Sequence, residues 1–287
     1  MKIGVFDSGI GGLTFVKELF NLVPNVEIIY FADTLHMPYG NKPKEYIMNR
    51  AKIIIDFLKS KNSELIVSAC GTVSSILPEF QNYENIIGVV KSSCLKASQI
   101  TKNGNIGIIA TELSIKEKYY EKILLNLNKK FNIYPKACPE LAEIIENNNN
   151  LSNQNFNYIK SCISIFSGKN IDTLILGCTH YPIVKKVIAK ILENIEIIDS
   201  SIETAKFVSK ILKERENPDF NYNQKKINIY ASNLTDEFKI NAINILSSDV
   251  SKMFFLSNLG FYDVNGSKHM LVTQLKKLFF LVSLKIY

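Results

Sequence analysis

Two cysteines stand where acid–base chemistry can be expected. Cys70 follows the run Leu65-Ile66-Val67-Ser68-Ala69, and Cys178 follows Leu174-Ile175-Leu176-Gly177. Each closes a short apolar segment and directly precedes a helix-like one, with Thr72 and Thr179 just downstream. Amide dipoles at a helix start favour a thiolate, so each thiol is expected below its reference value of about 8.5. One such cysteine is ordinary packing. Two, equivalently placed in two halves of a chain, point to a pseudo-symmetric site with one sulfur on each side of a substrate. Inverting a carbon centre through its proton needs a base on one face and an acid on the other, and a thiolate and a thiol supply both. Such a site needs no cofactor where donors hold the substrate's carboxylates. Cys94, Cys138 and Cys162 lack this setting and are assigned to packing.

Other strand ends carry polar turns. Lys2–Phe6 leads into Asp7-Ser8-Gly9-Ile10-Gly11-Gly12-Leu13-Thr14, a glycine turn opening a helix. Its amides favour an anion. Gly9-x-Gly11 with Asp33 after the second run also fits part of a dinucleotide fingerprint. Thr14 at the third glycine position and the carboxylate of Asp7 at its mouth speak against that reading. After Val26–Phe31 comes Pro38-Tyr39-Gly40, a turn expected to present backbone N–H groups and a phenol to the same cleft.

The elements that must position these residues alternate along the chain. Apolar, β-branched runs at Lys2–Phe6, Val26–Phe31, Leu65–Ala69, Ile86–Val89, Ile106–Ala110, Phe131–Tyr134, Thr173–Leu176, Ile195–Ile198 and Ile227–Tyr230 read as strands. Gly12–Leu22, Lys44–Ser60, Ser114–Asn128, Pro182–Glu193 and Ile202–Lys213 read as helices. Continuous rather than alternating hydrophobicity means strands buried on both faces. Strand–helix repetition predicts an α/β fold with mostly parallel sheets flanked by helices, and ligands at the strands' C-terminal ends. Glu146–Asn153 is an Asn-rich loop. Met253–Tyr287 is apolar without strand–helix rhythm; Leu271, Leu275, Leu278 and Val282 form one helical stripe, expected to pack on the body or on a partner subunit, with membrane contact as a minor alternative.

Composition sets the bounds. The 287 residues are 46% hydrophobic and 21% charged, enough for a large core and too many for one small domain. Net charge is +7, but lysines are spread in pairs such as Lys129-Lys130, Lys185-Lys186 and Lys276-Lys277, so the charge reads as solvated surface and no nucleic-acid partner is expected. No apolar run approaches the roughly 20 residues of a membrane span, and Asp7 interrupts any leader, so no membrane partner and a cytoplasmic location are expected. No Cys-x-x-Cys pair exists, and neither a metal nor any other cofactor is expected.

In order and spacing, Asp7-Ser8-Gly9-x-Gly11-Gly12, Asp33-Thr34, Pro38-Tyr39-Gly40, Cys70-x-Thr72, Cys138-Pro139 and Gly177-Cys178-Thr179-His180-Tyr181-Pro182 resemble glutamate racemase, of the cofactor-independent aspartate/glutamate racemase family. The match runs through residues 2–247. It implies two similar α/β domains with the active site between them, here residues 1–95 with the returning segment 208–287, and residues 96–207. It implies an isomerase that interconverts L- and D-glutamate and supplies D-glutamate for peptidoglycan, hence for cell-wall biogenesis and cell shape. The small-molecule partner is glutamate; a homodimer is left open. By the resemblance Cys70 acts on the D-enantiomer and Cys178 on the L-enantiomer, while Asp7, His180 and Glu146 tune them. Ser8, Pro38, Tyr39, Gly40, Gly71, Thr72 and Thr179 bind substrate. Thr111 and Ser114 lie where the family favours threonines. One departure stands out: the family has Cys-Asn-Thr, this chain Cys70-Gly71-Thr72. Restoring the amide with Gly71→Asn is expected to lower KM roughly threefold to tenfold. Alternatives are a racemase of aspartate or another acidic amino acid, a nucleotide-binding oxidoreductase, and a non-catalytic binder of acidic amino acids.

Overall fold

The computed structural model describes residues 1–246, apart from 24, 81, 82, 84, 148–152 and 216–224, together with 252–257. Its strands form two sheets, and every strand pair is parallel. The first sheet contains β1 (Lys2–Asp7), β2 (Glu27–Ala32), β3 (Leu65–Ser68), β4 (Ile86–Gly88), β9 (Lys226–Ala231) and β10 (Lys252–Ser257), in the order β10-β9-β2-β1-β3-β4. The second contains β5 (Asn105–Ala110), β6 (Asn132–Ala137), β7 (Thr173–Leu176) and β8 (Glu196–Asp199), in the order β6-β5-β7-β8. The sequence β2-β1-β3-β4 in one sheet is thus repeated by β6-β5-β7-β8 in the other, and β3 and β7 hold the same place.

Helices cover both faces of each sheet, which is why the strands are apolar without alternation. On the first sheet, Ile3, Val5, Ile28, Tyr30 and Val67 pack with α1 (Leu13–Leu22), α10 (Ser200–Arg215) and α11 (Asp236–Leu246). The opposite face, with Phe6, Ile29, Phe31 and Ile66, packs with α2 (Lys44–Ser60) and α3 (Gly71–Ile76). Helix α2 buries Ile47, Ala51, Ile54, Ile55 and Leu58, a helical stripe of one face. On the second sheet, Ile109, Leu174 and Leu176 face α7 (Leu141–Asn147), α8 (Asn153–Ile163) and α9 (Lys185–Ile191). Ile106, Ile108 and Ile175 face α4 (Val89–Ile100) and α6 (Tyr119–Leu127). Helix α4 leads from the first sheet to the second and α10 leads back. They meet through hydroxyl pairs, Ser92–Thr204 at 2.6 Å and Ser93–Ser200 at 2.8 Å.

Three elements differ from the sequence reading. The expected helix Ser114–Asn128 is two, α5 (Glu112–Lys116) and α6, because Lys118 takes a left-handed conformation at φ 53°. Strand β6 runs on through Pro135 to Ala137; an edge strand tolerates a residue with no N–H to give. Lys252–Ser257, read as part of an irregular tail, pairs with β9 as a sheet edge. The stripe Leu271, Leu275, Leu278 and Val282 lies outside the described residues. Among the described residues, no helix is long and apolar enough to cross a membrane.

Candidate active site

Register aligns the strand ends. Asp7 pairs with Ala32 and Phe6 with Ser68 in one sheet; Ala110 pairs with Ala137 and Ile109 with Leu176 in the other. The segments leaving these ends meet in a cleft of about 20 Å³, room for roughly one water molecule. After β1 comes Ser8, after β2 Met37-Pro38-Tyr39-Gly40, after β3 Cys70-Gly71-Thr72. Across the cleft stand Thr111 after β5, Pro139 after β6 and Cys178-Thr179-His180 after β7. The two thiols therefore occupy topologically equivalent positions and line one cavity, 4% and 7% exposed.

The surroundings of the thiols differ. Cys178 Sγ is 3.6 Å from His180 Nδ1, a hydrogen bond through which a proton can pass in either direction. At Cys70 burial pushes the thiol up, and the charges of Asp7 and Cys178 push the same way; the amides of Val73 and Thr72 pull it back only in part. The expected acidification at the helix start is thus reversed for Cys70, because desolvation outweighs the dipoles of a six-residue helix. Asp7 lies behind the cleft wall. Its Oδ2 accepts the Gly12 amide at 2.6 Å and the Thr179 hydroxyl at 3.2 Å, the latter from the other half of the molecule. The Gly9–Gly12 turn thus gives the Gly12 amide to a carboxylate of its own chain. A second bridge joins Thr72 Oγ1 to Thr111 Oγ1 at 2.9 Å, and Thr111 continues to Ser114 at 2.8 Å.

The Pro38–Gly40 turn is held from beneath. Arg50 donates from Nε to Asp33 Oδ2 at 2.9 Å and from Nη2 to Oδ1 at 2.8 Å, and the Tyr39 hydroxyl donates to the same carboxylate. Asp33 is 0% and Arg50 6% exposed. Burial opposes the guanidinium charge, but the bonds and charge of Asp33 overcome it and hold Arg50 above its ordinary value. Burial and Asp33 together hold the Tyr39 phenol well above its own, so it stays neutral. The Tyr39 phenol, expected to face the cleft, donates to Asp33. The buried Asp33 carboxylate is engaged by Arg50 and Tyr39, in keeping with the reading against a dinucleotide fingerprint.

The remaining candidates fall as follows. Pro38, Gly40, Gly71, Thr72, Thr179 and Ser8 all line the cleft. Glu146 lies in α7, and its side chain is outside the described residues. Cys94, Cys138 and Cys162 are buried in the core clusters. Asparagine at position 71 finds no room: a Cβ there would stand 2.1 Å from the carbonyl oxygen of Gly177. Met37, Thr111, Pro139 and Ala142 line the cleft without having been assigned a role; the strand-end rule that found Cys178 also finds Thr111. Arg50, in mid-helix, gives no such signal.

A doubled parallel α/β frame thus presents two thiols from equivalent strand ends to one cleft. The Asp/Glu/Hydantoin racemase family profile matches residues 3–208, and the chain belongs to this family. It is 35% identical over 256 residues to glutamate racemase 2 of Caldanaerobacter subterraneus subsp. tengcongensis, covering 88% of this chain and 96% of that one. The crystal structure of a glutamate racemase isoform from Bacillus anthracis superposes with a TM-score of 0.83 at 31% identity, covering 90% of this chain and 97% of that one. The Francisella tularensis glutamate racemase in complex with D-glutamate gives 0.79 at 32% identity, covering 89% and 97%.

Proposed function

We propose that this protein is a glutamate racemase that interconverts L- and D-glutamate without a cofactor. The observation that carries the reading is the pair Cys70 and Cys178, at equivalent strand ends and lining one cleft. One thiolate takes the α-proton and the opposite thiol returns a proton to the other face; the reverse reaction exchanges the roles. By family resemblance Cys70 serves the D-enantiomer and Cys178 the L-enantiomer. His180 exchanges a proton with Cys178 through their hydrogen bond. Asp7 raises the proton affinity of Cys70, and by family resemblance Glu146 is the third auxiliary group. Burial keeps Cys70 protonated in the empty cleft, and the α-ammonium of an arriving substrate brings the positive charge that favours a thiolate. Ser8, Thr72, Thr179 and the backbone of Pro38–Gly40 hold the substrate's carboxylates and amine.

In this reading the two domains are residues 1–95 with 208–287, and residues 96–207. The product D-glutamate goes to peptidoglycan in the cytoplasm, and the homodimer is the oligomer to test. Incubation with L-glutamate in D₂O, followed by chiral chromatography and mass spectrometry, tests the function. The expected result is D-glutamate carrying one deuterium at Cα. Racemisation of aspartate but not glutamate would move the assignment to the neighbouring activity.

A further inference from the structure

One glycine after each of the first three strands meets the second half of the molecule. A Cβ on Gly11 would stand 2.6 Å from Thr179 Oγ1, one on Gly40 2.8 Å from Thr111 Cβ, and one on Gly71 2.1 Å from the Gly177 carbonyl oxygen. Real Cβ contacts under 3.0 Å essentially do not occur. At Gly11 and Gly40 the nearest atoms belong to threonine side chains. At Gly71 they belong to the backbone. Gly177 is itself hemmed in, since a Cβ there would come within 3.0 Å of Ala110 Cβ, Tyr120 Oη and the Ile109 carbonyl oxygen. The strand end cannot retreat alone. Among the described glycines only Gly104 and Gly168 have positive φ, so position 71 demands glycine for space and not for backbone conformation.

We propose that Gly71 is a positioning residue for the two-thiol reaction, because it lets the strand ends bearing Cys70 and Cys178 close backbone on backbone. The inference rests on the reading of both thiols as acid–base groups. Gly71 is bonded to Cys70 and Gly177 to Cys178, so the contact lies one residue from each sulfur-bearing Cα. No side chain intervenes to adjust the distance. Gly71 also begins α3, so a shift at this point carries Cys70 and Thr72 with it. Closed, the cleft of about 20 Å³ is too small for an amino acid, and substrate enters only when the seam opens. The Gly71–Gly177 contact is then the stop against which the site closes. A methyl at position 71 must move that contact from 2.1 Å to an ordinary 3.4 Å, an opening of about 1.3 Å between the halves.

Gly71→Ala in the full chain, measured beside the wild type, tests this. The variant is expected to fold, because a seam that opens for substrate has room for a methyl when open. Its kcat for glutamate should fall about 100-fold, the effect of misplacing reacting groups by about 1 Å. Its KM should change less than about threefold, since binding precedes closure. Iodoacetamide alkylation of Cys70 and Cys178, followed by peptide mass spectrometry, should speed up about tenfold as the closed population falls. Alkylation of Cys94, buried away from the seam, should not change. A folded variant with wild-type kcat and wild-type alkylation rates overturns the proposal. So does a variant that cannot fold, for the contact is then fixed core. A wild type inactive on glutamate would instead sink the functional reading, while alkylation still compares the two chains.

Discussion

Arg50→Met removes the guanidinium that holds Asp33 beneath the Pro38–Gly40 turn. The wild-type pair is bidentate, at 2.8 and 2.9 Å, with almost no solvent contact. Methionine fills much of the same volume, so the loss is mainly electrostatic. Leaving one partner of such a pair uncompensated costs about 3–5 kcal/mol. That is a large share of the roughly 5–15 kcal/mol that stabilises a folded protein. Tyr39→Phe, which removes one hydrogen bond to the same carboxylate, should cost about 1.5–3 kcal/mol. The two losses should not add, because both side chains serve one group. Asp33→Asn combined with Arg50→Met removes the stranded charge and should recover part of the stability. Urea unfolding of the four variants measures these differences. Steady-state kinetics then shows whether the turn matters: with Tyr39 and Gly40 lining the cleft, KM for glutamate should rise more than kcat falls. An Arg50→Met chain within about 1 kcal/mol of the wild type, or one with unchanged KM, would refute the reasoning.

Cys70→Ser and Cys178→Ser should each lower racemisation by at least the factor of about 100–10,000 that a positioned acid–base group supplies; chiral analysis of either folded variant showing normal turnover excludes the two-base mechanism. Dialysed, chelator-treated protein should keep its activity, and recovery only on adding a metal or pyridoxal phosphate would contradict the cofactor-free reading. Burial holds the Cys70 and Cys94 thiols above their ordinary value, for Cys70 with help from Asp7. A raised folded-state value gives stability that is complete below about pH 8.5 and is lost as pH rises toward that value. Unfolding free energy should therefore decline above about pH 8.5, and Cys94→Ala should remove part of the slope; an identical slope in that variant argues against the assignment.

Much of the frame was legible because burial on both faces leaves an unbroken apolar run. Nine runs became nine strands. The signal failed where it was interrupted or had no clear end: Pro135 masked the end of β6, and Met253–Ser257 was read with the apolar stretch that follows it. The strand-end rule found both thiols, since it needs only sequence order. It could not find the Arg50–Asp33–Tyr39 network, whose members come from a helix, a loop and a turn and meet only in the folded chain. Nor could it give the state of the Cys70 thiol, which burial decides against the local dipoles. Position 71 shows the same limit. From the sequence Gly71 is a missing amide. The contact with Gly177 depends on how two halves close, and no local pattern records that.

The repeated strand order places two thiols alike, but their neighbours are unlike: Asp7 bears on Cys70 and His180 on Cys178. The two enantiomers of glutamate have the same free energy in water, so the catalysed equilibrium is an even mixture. It follows that kcat/KM must be equal in the two directions, whatever the neighbours do to each proton transfer. An asymmetry between the thiols can appear only as a paired difference, a higher kcat matched by a higher KM. A substitution at His180 that slows one direction must slow the other in kcat/KM by the same factor, and it cannot enrich either hand. A chiral protein is thereby bound to an achiral outcome, and its handedness survives only in how long each enantiomer stays.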